Sequence, residues 1–172
     1  MRRFPAIAVA LLALAGFATA PARAGEHRIG FGYHYFETLD DIDSLSDIDD
    51  SGNSLVFSYQ YLPGGLLRFE GDVEYYPDGY GGSLEEAWAP QAYVLLGRFF
   101  YGGVGVGITH SDFLSGDEWS DPWYAAKLGI DLLLLPKFHL DINANYRAGA
   151  FDELDEAESD AITLGVSARF SF

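Results

Sequence analysis

Leu67-Arg-Phe-Glu-Gly-Asp-Val-Glu-Tyr75 is a stretch in which apolar and charged side chains alternate strictly, with Gly71 on the apolar face. A period of two is typical of a β-strand whose two faces meet different surroundings. One face of this strand carries four charged groups, Arg68, Glu70, Asp72 and Glu74. The stretch therefore predicts a strand with one apolar side and one strongly charged side.

The same alternation recurs in seven further segments. They are residues 28–38, 55–61, 88–98, 102–110, 123–133, 138–147 and 162–172. The faces of the segment 88–98 are ambiguous, because its residues 93–96 are all apolar or aromatic. Most segments have about 9–11 residues, the length with which a tilted strand crosses the hydrocarbon core of a bilayer. The sequence thus predicts an all-β protein with eight strands.

The connections between these segments alternate in length. Residues 39–53, 77–87, 111–122 and 151–160 form long polar connections, whereas residues 62–65, 99–101 and 134–137 form short ones. An antiparallel up-and-down barrel has this pattern when every turn at one end is tight. The predicted fold is an eight-stranded antiparallel up-and-down transmembrane β-barrel that spans residues 25–172.

Acidic residues are concentrated in the four long connections. The chain has 172 residues, 26 Asp and Glu against 10 Lys and Arg, and a formal charge of −16. The long connections hold 19 of the acidic residues and no Lys or Arg. Such a balance argues against nucleic acid as a partner, because phosphate binding needs clusters of basic residues. The absence of cysteine excludes disulfides and thiolate chemistry.

The N-terminal segment has the pattern of a secretory signal peptide. Arg2 and Arg3 precede an apolar run over residues 6–17, and two small-x-small cleavage sites follow. We predict that residues 1–24 are removed after Ala24, with Ala20 as the alternative site. The apolar run is too short for a membrane-spanning helix, which needs roughly 20 apolar residues.

The apolar and charged faces admit two kinds of barrel. A soluble lipocalin-like cup, an exported binder, keeps its apolar face inside, whereas a membrane barrel turns that face to lipid and fills its lumen with polar groups. Aromatic residues near both ends of the strands favour the membrane barrel, because they resemble the two interfacial belts. These predicted belts include Tyr101 beside the short turns and Tyr76 and Trp123 beside the long connections. The charged residues predicted to form a polar network in the lumen are Arg68, Glu70, Asp72, Glu74, Lys127, Asp131, Asp141, Arg147 and Arg169.

The C-terminal strand Ile162-Thr-Leu-Gly-Val-Ser-Ala-Arg-Phe-Ser-Phe172 resembles the insertion signal of bacterial outer-membrane barrels, with Phe170 and Phe172 as its aromatic residues. The glycine-rich stretch Tyr101-Gly-Gly-Val-Gly-Val-Gly-Ile-Thr109 is similar to a strand of small outer-membrane β-barrel proteins. The whole plan resembles the OmpX/OmpA transmembrane-domain type. This resemblance implies a location in the outer membrane of a Gram-negative bacterium, contact with lipid and lipopolysaccharide, and insertion by the barrel-assembly machinery.

We expect a non-enzymatic structural or surface-interaction role. The alternative is a lipid A-modifying enzyme, because such enzymes share the architecture that the chain resembles. Lipid A deacylases of this architecture use a His and a Ser two residues apart, whereas this chain has His110-Ser111-Asp112. The palmitoyltransferase type, with His, Asp and Ser from separate loops, stays open. His34 and His139 are expected in the lumen. No catalytic residue is assigned.

One acidic segment has part of the pattern of a calcium-binding loop. Asp47, Asp49, Ser51 and Asn53 place oxygen ligands at alternate positions around Gly52, which suits Ca²⁺. Position twelve of the loop would be Ser58 instead of Glu, so a solvated Asp-rich loop is the alternative. No cofactor is expected beyond loosely bound Ca²⁺ or Mg²⁺. An extracellular partner of the acidic loops is not identified by the sequence.

Overall fold

The computed structural model describes residues 25–38, 51–77, 86–113, 116–148 and 161–172. These residues form ten β-strands: β1 (Glu26–Thr38), β2 (Ser51–Gly64), β3 (Leu67–Tyr76), β4 (Ala87–Gly97), β5 (Phe100–Gly107), β6 (His110–Phe113), β7 (Gly116–Trp119), β8 (Trp123–Leu135), β9 (Phe138–Ala148) and β10 (Ala161–Ser171). In the described ranges, no helix is long and apolar enough to cross a membrane.

The strands close into one antiparallel barrel. Pairing runs from β1 through β2, β3, β4, β5, β8 and β9 to β10, and β10 pairs back onto β1. The short strands β6 and β7 form a hairpin, in which β6 continues the line of β5 by pairing with Ala87 and Trp88 of β4. Because β6 continues β5, the closed barrel is eight-stranded, and the predicted eight-stranded antiparallel fold is confirmed.

Several predicted boundaries are wrong. The strands β2 and β8 extend beyond the predicted segments, and the predicted connection 111–122 contains most of β6 and all of β7. The segment 102–110 is interrupted at Ile108 and Thr109, where β5 ends and β6 begins. Residues 51–53 belong to β2 instead of the first long connection, with Ser51 opposite Glu37 and Asn53 opposite Tyr35 of β1. Ladder pairing with β1 holds these residues extended, so they form no turn.

Most strands of the barrel turn their polar side chains inward and their large apolar side chains outward. In β3, Arg68, Glu70, Asp72 and Glu74 are buried, while Val73 is exposed. On the outer wall, large apolar side chains such as that of Leu128 (67% exposed) meet no other part of the described chain that covers them. This polarity is that of a membrane barrel and the reverse of a lipocalin-like cup.

The structure also resolves the ambiguous strand β4. Its buried residues include Tyr93 and Leu95, which point into the lumen, while Val94 and Leu96 point outward. Both inward side chains are large because they fill space that a narrow barrel leaves between its walls.

Three aromatic residues predicted for the interfacial belts lie in the lumen instead. Tyr76, Tyr101 and Trp123 are at most 9% exposed and pack in an interior apolar cluster. Each ring finds hydrogen-bonding or cationic neighbours inside the barrel, so burial leaves its polar atom satisfied.

Candidate functional site: the polar interior of the barrel

Ten charged side chains are buried in the described part of the interior. The five bases are Arg28, Arg68, Lys127, Arg147 and Arg169, and the five acids are Glu70, Asp72, Glu74, Asp131 and Asp141. With histidine neutral, their charges sum to zero. A buried charge is tolerated only when it is paired and hydrogen-bonded, and the interior meets this requirement in clusters stacked along the barrel axis.

The first cluster lies at the end of the barrel with the short turns. Asp131 of β8 accepts hydrogen bonds from Arg28, from Arg68 (2.8 Å) and from His139 Nδ1 (2.7 Å). Arg28 also donates to Gln60. The cluster lines a recess of about 560 Å³ that opens at this end. One carboxylate thus joins side chains from β1, β3 and β9.

The middle cluster is centred on Glu70 of β3. Its carboxylate accepts hydrogen bonds from Lys127 Nζ (2.5 Å), Arg169 Nη1 (2.8 Å) and Gln60 Nε2 (2.6 Å). Lys127 also contacts Asp72 at 2.9 Å. Because β3, β8 and β10 lie on different sides of the barrel, these bonds cross the lumen and fill it.

Asp141 of β9 extends the middle cluster. It accepts hydrogen bonds from the Tyr101 hydroxyl (2.8 Å), from Asn143 Nδ2 (2.9 Å) and from Arg169 Nη2 (3.3 Å). The Arg68 guanidinium lies 4.8 Å from the centre of the Tyr101 ring. Tyr101 therefore links the middle cluster to the first one.

The third cluster is centred on Glu74, toward the end of the barrel with the long connections. This carboxylate accepts hydrogen bonds from His34 Nδ1 (2.9 Å), Ser54 Oγ (2.5 Å), Gln91 Nε2 (2.9 Å) and Arg147. Four donors from four strands satisfy both oxygens of a side chain that has no exposed surface. Charge-assisted bonds of this kind are roughly twice as strong as neutral ones.

Aromatic rings cover this cluster at the long-connection end. The Arg147 guanidinium lies 4.5 Å from the centre of the Trp123 ring and donates to the Tyr76 hydroxyl at 2.5 Å. Phe36 meets Tyr76 edge to face, with 5.3 Å between ring centres. The indole Nε1 of Trp123 donates to Thr109 Oγ1 at 3.0 Å. Side chains therefore fill the lumen at the level of Arg147 and Trp123.

All nine residues predicted for the lumen network point into the barrel and join these clusters. The predicted network lacks several partners that the structure places in the lumen, namely Arg28, Gln60, Gln91, Tyr101, Asn143 and Asn145. Asn143 and Asn145 alternate in step with Asp141 on β9, and Arg28 does so with His34 on β1, so the period of two was the signal that could have found them. Gln60 shares a face of β2 with Ser54 and Ser58, whereas no polar pattern marked the inward face of β4. His34 and His139 lie in the lumen, bonded to Glu74 and Asp131.

The residues of the predicted calcium loop are not brought together in the described structure. Ser51 and Asn53 lie in β2, exposed and extended, while Asp47 and Asp49 lie outside the described residues. Across the described ranges, no three His, Asp or Glu side chains group as metal ligands. The calcium site stays a prediction.

The other predicted groups lie on the outside of the barrel. Phe170 and Phe172 are exposed on the outer wall, and the Phe172 ring stacks on His27 with 5.9 Å between centres. The His110 ring packs against Trp119 at 4.7 Å. The side chains of Ser111 and Asp112 lie outside the described part of the chain.

The chain forms a closed eight-stranded barrel with an ion-paired interior and an apolar outer wall. This is the fold of small outer-membrane β-barrel proteins of the OmpX/OmpA type. No family model matches the chain, and no curated protein sequence matches it. Solved structures share the fold. Neisserial surface protein A is 16% identical over 89% of this chain and 100% of that one, with a TM-score of 0.61.

Two further solved structures have the same fold. Ail, the attachment invasion locus protein of Yersinia pestis, in complex with the heparin analogue sucrose octasulfate, is 20% identical over 86% of this chain and 99% of that one, with a TM-score of 0.53. The N-terminal barrel domain of Pseudomonas aeruginosa OprF is 10% identical over the same shares, with a TM-score of 0.52. These likenesses concern the fold.

Proposed function

We propose that the protein is a non-enzymatic integral barrel of the outer membrane of a Gram-negative bacterium, which presents acidic loops at the cell surface. The observation that carries this proposal is the separation of charge. The interior pairs five buried acids with five buried bases, whereas 19 acidic residues without a Lys or Arg fall in the four long connections. The barrel is a neutral anchor, and the net charge belongs to one rim.

The proposed partner of this rim is lipopolysaccharide, bound through divalent cations. Carboxylates repel the phosphates of lipopolysaccharide unless a cation neutralises both. Ca²⁺ and Mg²⁺ prefer oxygen ligands, which loop carboxylates and phosphates both supply. A polyanion, such as the heparin analogue held by Ail, would bind this rim only with the same help.

The location is tested by heat-modifiability in the outer-membrane fraction. A folded membrane barrel resists SDS without heating, so the unboiled protein should migrate differently from the boiled one. The same cells should show an unchanged mass of lipid A when the protein is expressed. The proposed location would be wrong if the protein were found in the periplasmic extract and showed no mobility shift. If expression altered the mass of lipid A and His110→Ala abolished this change, the protein would be a lipid A-modifying enzyme.

The cation bridge is tested with the purified barrel and lipopolysaccharide in detergent. We expect binding in millimolar Mg²⁺ that EDTA reverses and that Na⁺ at equal ionic strength does not support. A variant in which Asn or Gln replaces the six acidic residues between 152 and 160 should lose much of the Mg²⁺-dependent binding to lipopolysaccharide. The control is Glu37→Gln, which removes one exposed acid from β1. Binding that is equal with and without Mg²⁺ would contradict the bridge.

A further inference from the structure

Three of the buried polar atoms that lack a hydrogen-bond partner within the described chain are His34 Nε2, Asn145 Oδ1 and Thr163 Oγ1. Their residues are 1%, 2% and 0% exposed. They lie on the adjacent strands β1, β9 and β10, and Thr163 is directly opposite Asn145 in the ladder. His34 is opposite Gly165, two positions from Thr163 along β10. One patch of the inner wall thus holds all three atoms.

The neighbours of these residues fix their hydrogen-bonding roles. The Glu74 carboxylate can only accept, so His34 Nδ1 carries the proton of their 2.9 Å bond. In the neutral ring Nε2 is then an acceptor. Asn145 donates from Nδ2 to Asn143 Oδ1 at 3.2 Å, which makes its own Oδ1 an acceptor as well. The Thr163 hydroxyl has one proton and cannot serve two acceptors.

Two glycines at this patch leave space that inward-facing rings occupy. The His34 ring lies directly over Gly165, where a Cβ would collide with the ring. Phe36 is opposite Thr163 in the ladder, but its ring leans toward β2. There it lies over Gly52, where a Cβ would come within 2.6 Å of the ring. The two rings therefore lean apart, toward β10 and toward β2, on either side of Thr163.

We propose that this patch is a binding site for one ordered water molecule. A water has two protons to donate, one to His34 Nε2 and one to Asn145 Oδ1, and it accepts the proton of Thr163. Three hydrogen bonds are typical of a buried water, and such waters satisfy polar groups that the protein leaves unpaired. A neutral molecule fits because the ten buried charges already cancel.

The site is closed toward the long connections. Phe36 and Arg147 each lie one inward-facing position beyond His34 and Asn145, and Phe36 packs against Tyr76. On the other side lie the ion pairs of the middle cluster. The water is therefore held inside the barrel wall and exchanges slowly with bulk solvent.

The test is solid-state NMR of the barrel in lipid bilayers. We expect magnetisation transfer from water to His34, Asn145 and Thr163, and a His34 ring protonated at Nδ1 alone. Thr163→Val removes the hydroxyl but keeps the shape, and it should cut the transfer to His34 several-fold, whereas Thr163→Ser should retain it. The control is Thr109→Val, a buried threonine whose hydroxyl already accepts from Trp123.

Three outcomes would overturn the proposal: no transfer from water to His34 in the unaltered protein, a His34 ring protonated on both nitrogens, or equal losses in Thr163→Val and Thr109→Val. Mobility on unboiled SDS gels shows that each variant is folded. Because the water does not contact the loops, this result is independent of binding to lipopolysaccharide.

Discussion

Replacing Glu70 with glutamine is expected to lower the free energy of unfolding by about 3–5 kcal/mol, the range for removing one partner of a buried ion pair. The physical reason is that Lys127 and Arg169 both keep their charge in the lumen after the carboxylate is gone. A glutamine amide would also turn donor atoms toward Lys127, Arg169 or Gln60, which are donors themselves. The measurement is reversible urea unfolding of the barrel in lipid vesicles.

The matched control for this variant is Glu37→Gln, on the exposed face of β1. A surface change of this kind is expected to stay within about 0.5 kcal/mol. The double variant Glu70→Gln with Lys127→Gln removes one charge of each sign and should cost less than the sum of the single changes, because the two residues are in contact. If Glu70→Gln cost no more than Glu37→Gln, the ion-paired interior would be wrong.

An arginine at Leu128 is expected to destabilise the barrel by about 2–4 kcal/mol, the cost of a charged residue at the bilayer midplane. Leu128 lies near the middle of β8 on the outer wall and is 67% exposed. Exposure to lipid makes the charge costly, whereas exposure to water would make it harmless. Unfolding in vesicles therefore measures which solvent the outer wall meets.

Depth in the membrane provides the control for Leu128→Arg. Leu134 is also exposed, but it lies next to the short turn between β8 and β9. An arginine there should cost only about 0–1 kcal/mol, because it is near the interface. Equal and small effects at both positions would contradict a lipid-facing wall.

The alternation of apolar and polar side chains was enough to predict the eight strands of the barrel and the charged side of most of them. It failed where both faces of a strand are apolar, as at Tyr93 and Leu95 of β4, because the lumen also needs large side chains to fill it. Proximity to a strand end misplaced Tyr101, although its parity with the inward-facing Gly103 and Gly105 pointed to the lumen. Parity is the stronger signal because the pleat of the strand enforces it.

The partners within the lumen could not be predicted from the sequence. Glu70 meets Arg169 across 99 residues of chain, and Arg28 meets Asp131 across 103. Which inward residues share a level depends on the stagger of all eight strands, which no local pattern contains. The relative positions of His34, Asn145 and Thr163 depend on the same stagger.

The long separations along the chain bear on the order of events during folding. The pairs Glu70–Arg169 and Arg28–Asp131 join early strands to late ones, so they form only when β10 has docked on β1 and the cylinder has closed. Interactions that are absent from the transition state slow unfolding and leave the folding rate almost unchanged. We therefore expect the ion pairs of the lumen to slow the unfolding of the barrel and to change its folding rate little.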